Sequence, residues 1–327
     1  MVAAVVDFSI VLPAYNEAGN IAPIIADLRR LLSGAGRTEI ICIDDGSTDG
    51  TLDAVRAAAA ADPMVRYVSF TRNFGHEAAM RAGLRAARGQ AVVVMDADFE
   101  HPPDVVPQMI EQWRSGFRIV AAQRLDDAAT SPFKRATSRL FYRVLGAFGD
   151  VQIEPGSADF LLLDRTVVNT INRFESQELF LRGLVRWLGF PIAKISYRPG
   201  RRRHGTSKYS IRRMVELALN GMAAHSVRPL RAAIWLALGF ATLGMLFVVY
   251  SVVSFFFVRH TVAGWTSIMA AIAILGAAQL FVLGIIGEYV GRTLRETRRR
   301  PNYVVAETEA DRPAAIEPPE EFRQSAE

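Results

Sequence analysis

From Phe8 to about Val120 the chain alternates short apolar runs with longer amphipathic stretches. The runs Phe8–Leu12, Glu39–Asp45, Val65–Phe70 and Gln90–Asp96 are rich in β-branched residues and predict strands. Between them, Glu17–Leu32, Gly50–Ala61, His76–Arg88 and Pro103–Ser115 carry apolar residues at helical spacing with charge on the opposite face, and predict helices. Regular strand–helix alternation predicts an α/β fold whose mostly parallel sheet has helices on both faces and strands buried on both sides. In such a sheet a ligand lies beyond the carboxyl ends of the strands. The candidate segments are therefore Pro13–Glu17, Asp44–Asp49, Thr71–His76 and Asp96–Glu100.

Beyond Val120 the periodicity weakens into a basic stretch, Arg124–Arg143, and a turn at Glu154–Gly156. Basic residues cluster again over 201–231, interleaved with the apolar face of Ile211, Met214, Val215, Leu217 and Ala218. This pattern suits an amphipathic helix on a membrane surface, and an ordinary solvated helix has the same pattern. Then come two apolar segments, 232–258 and 264–290, each uncharged through its middle and long enough to cross a ~30 Å hydrocarbon core. Between them only Arg259 and His260 are charged or titratable, whereas basic residues crowd both outer flanks. The positive-inside rule makes the pair a hairpin with both flanks, and hence both termini, in the cytoplasm. The reading divides the chain into a catalytic domain at 1–200, an interface segment at 201–231, the two spans, and an acidic, proline-bearing tail at 291–327 expected to be disordered.

Half of the 327 residues are hydrophobic, more than a wholly soluble enzyme usually carries, which supports the membrane portion. The lone Cys42 excludes an internal disulfide and a cysteine-based zinc cluster, and fits a reducing compartment. No basic stretch precedes the apolar residues of Met1–Asp7, so the soluble part is not expected to be exported. The 38 basic residues against 33 acidic ones do not call for nucleic acid, because those flanking the spans are explained by topology.

Among the candidate segments, Asp96-Ala97-Asp98 follows the run Val92–Met95. Alternate residues of an extended segment share a face, so two carboxylates can converge on one hard divalent cation. Glu100 either completes that shell or caps the helix after Pro102–Pro103. Asp44 and Asp45 end the second strand. They are suited to accept hydrogen bonds from a base or ribose, though turn formation would also place acids there. Asn16 and Glu17 face the same crevice from the first strand.

FSIVLPAYNE, IDDGSTDGT and MDADFEHPP, in this order and spacing, resemble the GT-A nucleotide-sugar-binding domain of inverting family 2 glycosyltransferases. Ser157–Arg165 (SADFLLLDR) and Arg201–Ser210 (RRRHGTSKYS) are similar to that family's polyisoprenyl-phosphate branch, which joins such a domain to a two-helix transmembrane hairpin. The resemblance covers residues 8–300. It implies that Pro13, Tyr15, Glu17, Asp44, Asp45 and Asp96 bind the nucleotide-sugar, with Asp45 on the nucleoside. Asp96 and Asp98, with Glu100, would hold Mg²⁺ or Mn²⁺ against the diphosphate. Asp98 and Asp159 become the catalytic acids, although Ala158 replaces the family's usual glycine. Arg203, Ser207 and Lys208 would meet phosphate, and Arg124, Lys134 and Arg135 would lie near the acceptor. Arg201–Arg203 fit a plain membrane patch as well.

The implied reaction moves a sugar, most often glucose from UDP-glucose, to a polyisoprenyl phosphate at the cytoplasmic face of the inner membrane. UDP-N-acetylglucosamine, UDP-galacturonate, an aminoarabinose donor and GDP-mannose stay open. A flippase, a downstream transferase and a homotetramer are further implications of the resemblance. A dianionic acceptor phosphate hardly needs a general base, so Asp159 is either base or orienter. The alternatives are a processive polysaccharide synthase, a tethered transferase with a small acceptor, and an inactive membrane scaffold. The synthase is disfavoured because Gly183 stands where a Gln-x-x-Arg-Trp element ending in Arg186-Trp187 would have glutamine. The scaffold is disfavoured because Asp45, Asp96, Asp98 and Asp159 are all present.

Overall fold

The computed structural model describes residues 6–125, 157–174, 181–200, scattered positions between 238 and 253, 264–298 and 300–311. The chain forms two compact units, one of Met1–Thr130, Glu154–Ser207 and Pro301–Glu327, the other of Ser131–Ile153 and Lys208–Arg300.

In the first unit, strands β1 (Phe8–Ala14), β2 (Thr38–Asp44), β3 (Val65–Phe70), β4 (Ala91–Val94), β5 (Ile119–Arg124), β6 (Ser157–Asp164), β7 (Ile192–Tyr197) and β8 (Val305–Thr308) form one sheet ordered β7-β5-β6-β4-β1-β2-β3-β8. β1 pairs in parallel with β2 and β4, β2 with β3, and β5 with β7. β6 runs antiparallel between β4 and β5, and β8 antiparallel beside β3. Every residue of β1, β2 and β4 is buried, because both sheet faces are covered.

Helices α1 (Ala18–Leu32), α2 (Thr51–Ala61), α3 (His76–Ala86) and α4 (Val105–Arg114) follow the first four strands, and α5 (Arg165–Asn172) and α6 (Leu181–Trp187) follow β6. Apolar stripes of α1 and α4, Ile21, Ile24 and Leu28 with Val106 and Met109, pack on the sheet face presented by Ile10, Ile40 and Val93. Met80 and Leu84 of α3, with Val167 of α5 and Val185 of α6, cover the opposite face beside Val11, Ile41 and Val92.

β2 and β3 lie on one side of β1 while β4 returns to the other, so the chain order reverses between β1 and β4. A crevice opens at such a switch point beyond the carboxyl ends of the two strands. Because β6 is antiparallel, its first residues, Ser157–Asp159, emerge at that same edge.

The described stretch of the tail, residues 300–311, departs from the expectation of disorder. Val305–Thr308 pairs with β3, and a 3₁₀ turn follows at Glu309–Asp311. Two arginines on the sheet side hold it. Arg56 forms a fork with Glu307 at 2.8 and 2.7 Å, and Arg66 bonds Glu309 at 2.7 Å. Glu307 and Glu309, two of the acids that lower the tail's hydropathy, are thus docking groups.

In the second unit α7 (Gly264–Thr297) is one continuous helix. Its segment Ile274–Gly291 is long and apolar enough to cross a membrane, and among the described residues none of that stretch is buried within the protein. The expected first span, 232–258, and the interface segment, 201–231, lie largely or wholly outside the described residues.

Candidate active site

Four turns meet at the carboxyl edge, and the first two are stitched together by their own polar residues. Asn16 adopts a left-handed conformation, φ 59°, which asparagine tolerates. Its backbone N–H donates to Ser47 Oγ (3.0 Å), and its Oδ1 accepts the Thr48 N–H (2.9 Å). Burial pushes the Asp49 carboxyl up, but the Thr51 hydroxyl and N–H (2.9 Å) and the Ala18 N–H (3.3 Å) all donate to it and hold it below the usual range. Pro13 is buried in β1, Tyr15 is exposed at the crevice mouth, and Glu17 accepts from Asn20 Nδ2 at 2.5 Å.

Asp44 and Asp45 part company. Asp44 is buried at 1% exposure, with Oδ1 taking the Ser47 N–H (3.1 Å) and Oδ2 the Ser69 hydroxyl (2.8 Å). These are the bonds of a turn-forming acid. Asp45 accepts the N–H groups of Phe74 at 2.7 Å and Gly75 at 2.9 Å, which ties the second turn to the third. Burial pushes its carboxyl above the ordinary range, against those two bonds. A carboxylate has about four lone-pair sites, so two N–H donors leave acceptor capacity for a ligand.

On the other side of the switch point, Asp96 and Asp98 follow β4. Asp98 is 8% exposed, and its Oδ1 takes the Glu100 N–H at 2.9 Å across a left-handed Phe99, φ 66°. His101 Nδ1 accepts the Asp96 N–H at 2.9 Å and stands 3.5 Å from its Oδ2. His101 is itself fixed by stacking on Phe160 at 4.9 Å. His76, opening α3, places Nε2 3.5 Å from Asp96 and 3.9 Å from Asp159.

Asp159 is gripped by Arg182 at the start of α6, Nε to Oδ1 at 2.7 Å and Nη2 to Oδ2 at 2.6 Å. Burial alone would raise this carboxyl, but the Arg182 hydrogen bonds and charge, with His76 and His101 nearby, hold it below the usual carboxylate range. Arg124, at the end of β5, approaches Glu100 at 3.7 Å.

The predicted residues Asp45, Asp96, Asp98, Glu100, Arg124 and Asp159 thus share one edge. Glu100 does not cap α4, whose N-cap residue is Asp104. Among the described residues, no three acid, imidazole or thiol side chains form a ready metal shell, so the three-carboxylate cage is not preassembled. Lys134, Arg135, Arg203, Ser207 and Lys208 lie outside the described residues. Three site residues escaped the sequence reading: His76, His101 and Arg182. His76 lay within a segment marked for its place after β3, whereas nothing in the sequence pairs Arg182 with Asp159 across 23 residues.

An open α/β sheet that gathers acids at its switch point defines a ligand-binding crevice there. The profile described as glycosyl transferase family 2 matches residues 9–176, and that of the GtrB C-terminal hairpin matches 228–293. The chain is 34% identical over 301 residues to an uncharacterized glycosyltransferase, YkcC, of Bacillus subtilis, covering 92% of this chain and 93% of the relative. It is equally 34% identical over 306 residues to the bactoprenol glucosyl transferase of Shigella phage SfII, covering 93% and 99%. Among solved structures it is similar to glucosyl-3-phosphoglycerate synthase from Mycobacterium tuberculosis in complex with Mn²⁺, UDP and glucosyl-3-phosphoglycerate. That likeness has 22% identity, 66% and 77% coverage and a TM-score of 0.43. The chain belongs to glycosyl transferase family 2.

Proposed function

We propose that this glycosyltransferase transfers glucose from UDP-glucose to an undecaprenyl-like polyisoprenyl phosphate at the cytoplasmic face of the inner membrane, with inversion at the anomeric carbon. The observation that carries the reading is the meeting of Asp96, Asp98 and Asp159 at the switch-point edge, with the Asp45 turn across the crevice. Near-full-length similarity to a bactoprenol glucosyl transferase supports the acceptor class and the sugar.

Hard carboxylate oxygens at Asp96 and Asp98 fit a divalent cation. Mg²⁺ characteristically takes one or two carboxylates and completes its octahedron with substrate phosphate and water, so an incomplete protein shell is what a donor-assisted site needs. When bound, Mg²⁺ or Mn²⁺ would neutralise the departing diphosphate. Asp45 would accept from the nucleoside. Arg124, with Lys134, Arg135, Arg203, Ser207 and Lys208, would receive the acceptor phosphate, a task arginine suits through its paired donors.

Asp159, ionised and clasped by Arg182, orients the acceptor rather than taking its proton. The lipid phosphate, with a second pKa near ~6, supplies its own anionic nucleophile at neutral pH. The phosphate oxygen forms the new bond to the anomeric carbon as the bond to the nucleoside diphosphate breaks. Two spans, 232–258 and 264–290, would form a hairpin that keeps both termini cytoplasmic. The lipid-linked product suits later translocation by a flippase and use by a downstream transferase, and a homotetramer is the expected assembly.

The test incubates membranes containing the protein with radiolabelled nucleotide sugars, Mg²⁺ or Mn²⁺ and undecaprenyl phosphate, followed by organic extraction. Label from UDP-glucose in the lipid fraction, dependent on metal and on Asp98, supports the reading. Donor binding without lipid label from any sugar overturns the acceptor assignment, and a product with the donor's anomeric configuration overturns inversion.

A further inference from the structure

The tail strand does more than cover an edge. β8 stays paired with β3 through a register shift between Ser69 and Phe70, and the pairing continues beyond the strand, with the Thr71 N–H donating to Val304 O at 3.0 Å. The tail therefore reaches the loop between β3 and α3, the loop whose backbone N–H groups hold Asp45. Tyr303 stacks on Phe70 with centroids 4.7 Å apart and planes 14° from parallel. Phe70 meets Phe74 edge to face at 5.8 Å, and Phe74 donates its N–H to Asp45. An unbroken line of contacts thus runs from Tyr303 through two aromatic rings to the acid assigned to the nucleoside.

The loop has little freedom to relax on its other side. The Arg72 guanidinium lies over the Phe74 ring at 4.0 Å, and the Arg72 backbone packs against Gly46 so closely that a Cβ there would stand 2.3 Å from it. The strand's own anchors, Glu307 on Arg56 and Glu309 on Arg66, sit away from the loop and hold the tail in register.

We propose that Tyr303 is a positioning residue for donor binding: docked by β8, its ring sets the Phe70–Phe74 pair and so the Asp45-binding loop in the geometry that receives the nucleoside. This rests on Asp45 being the nucleoside contact. The fold spends a C-terminal strand on the sheet edge nearest that loop, and the aromatic stack is the part of the strand that reaches it.

The experiment measures steady-state kinetics of the full-length enzyme in membranes, varying donor and lipid phosphate separately, for Tyr303→Ala, Tyr303→Phe, Arg56→Ala and Asp45→Ala. Loss of an aromatic stack predicts a donor KM raised roughly tenfold in Tyr303→Ala, with kcat and the acceptor KM within about twofold. Tyr303→Phe restores the donor KM because it keeps the ring. Arg56→Ala, which loosens the tail at a distance, raises the donor KM in the same direction by a smaller factor. The inference is overturned if Tyr303→Ala leaves the donor KM unchanged while Asp45→Ala raises it, or if Tyr303→Ala lowers kcat alone in proportion to lost folded protein. If Asp45→Ala itself leaves the donor KM unchanged, the nucleoside assignment falls, and with it this role for Tyr303.

Discussion

Arg182 clasps Asp159 through two parallel hydrogen bonds, 2.7 and 2.6 Å, at the carboxyl edge of the sheet. The side chain of Asp159 is 13% exposed and that of Arg182 36%, so the acid depends on its partner more than the reverse. Removing Arg182 leaves a buried carboxylate uncompensated, an effect of about 3–5 kcal/mol for a fully buried pair and less here because Arg182 is partly solvated. Arg182→Ala is expected to destabilise the catalytic unit measurably, with Asp159→Asn milder and Arg182→Lys intermediate, since lysine cannot form the fork. Denaturant midpoints of the three variants check the order.

The pH profile separates orienter from base. Because the Asp159 carboxyl is held below the usual range, its stabilising contribution is present at neutral pH and is lost only as pH falls through that lowered value. It stays ionised while the acceptor phosphate titrates near ~6. The specificity constant for lipid phosphate should therefore rise through about pH 6 in the native enzyme and at the same midpoint in Asp159→Asn, with only the plateau lowered. A midpoint that disappears in Asp159→Asn would make the acid a base.

At the proposed metal position, Asp96→Asn and Asp98→Asn should each cut transfer by on the order of 100-fold or more. The two should differ in folding. Asp98 is buried and holds the turn through the Glu100 N–H, whereas Asp96 is more exposed and flanked by two histidines. Metal titration of rate in each variant, alongside thermal melts, distinguishes lost coordination from a lost turn.

Much of this site was legible because it depends on local pattern. Four buried strands announced themselves by β-branched runs, and chemistry after a parallel strand must lie at its carboxyl end, so Asp45, Asp96 and Asp98 followed. Asp44 was harder to read, because a turn acid and a ligand acid look alike in sequence and its Ser69 donor lies 25 residues away. Arg182 was invisible because β6 runs antiparallel between β4 and β5, and only that insertion brings the start of α6 over Asp159. The tail misled for a compositional reason. Glu307 and Glu309 lower its hydropathy as a disordered segment's acids would, but here Arg56 and Arg66 receive them.

Asp45 sets a second pH dependence of opposite sign. Burial raises its carboxyl above the ordinary range, with neighbouring Asp44 adding to the rise and His76 opposing it. The folded state therefore binds this proton more tightly than the unfolded chain does, and Asp45's contribution to stability declines as pH rises through its raised value. A nucleoside donor hydrogen-bonding to the carboxylate favours the ionised form, so donor affinity should weaken as pH falls, beginning above the ~4 of an ordinary aspartate. Equilibrium binding of UDP from pH 7 downward tests this, and Asp45→Asn should flatten the profile while weakening binding at neutral pH.

Gly46 tests whether the Asp45 turn and the loop after β3 work as one unit. It takes φ +63°, where a side chain is strained, and an added Cβ would stand 2.3 Å from the Arg72 carbonyl carbon. Strain alone costs about 1 kcal/mol for a non-glycine residue in this region. The backbone contact adds to it, because a main-chain atom cannot swing aside as a side chain can. The cheapest relief is for the Arg72–Gly75 loop to move away, which would lengthen the Phe74 and Gly75 bonds to Asp45. Gly46→Ala should thus lower stability by roughly 1–3 kcal/mol and weaken UDP binding together. The same change at Gly34, where an added Cβ meets nothing within 4 Å, should leave donor binding as it is. Parallel melts and UDP titrations of the two variants decide the matter: destabilised Gly46→Ala with native UDP affinity would mean that the turn tolerates displacement of the loop and that the two do not act as a unit.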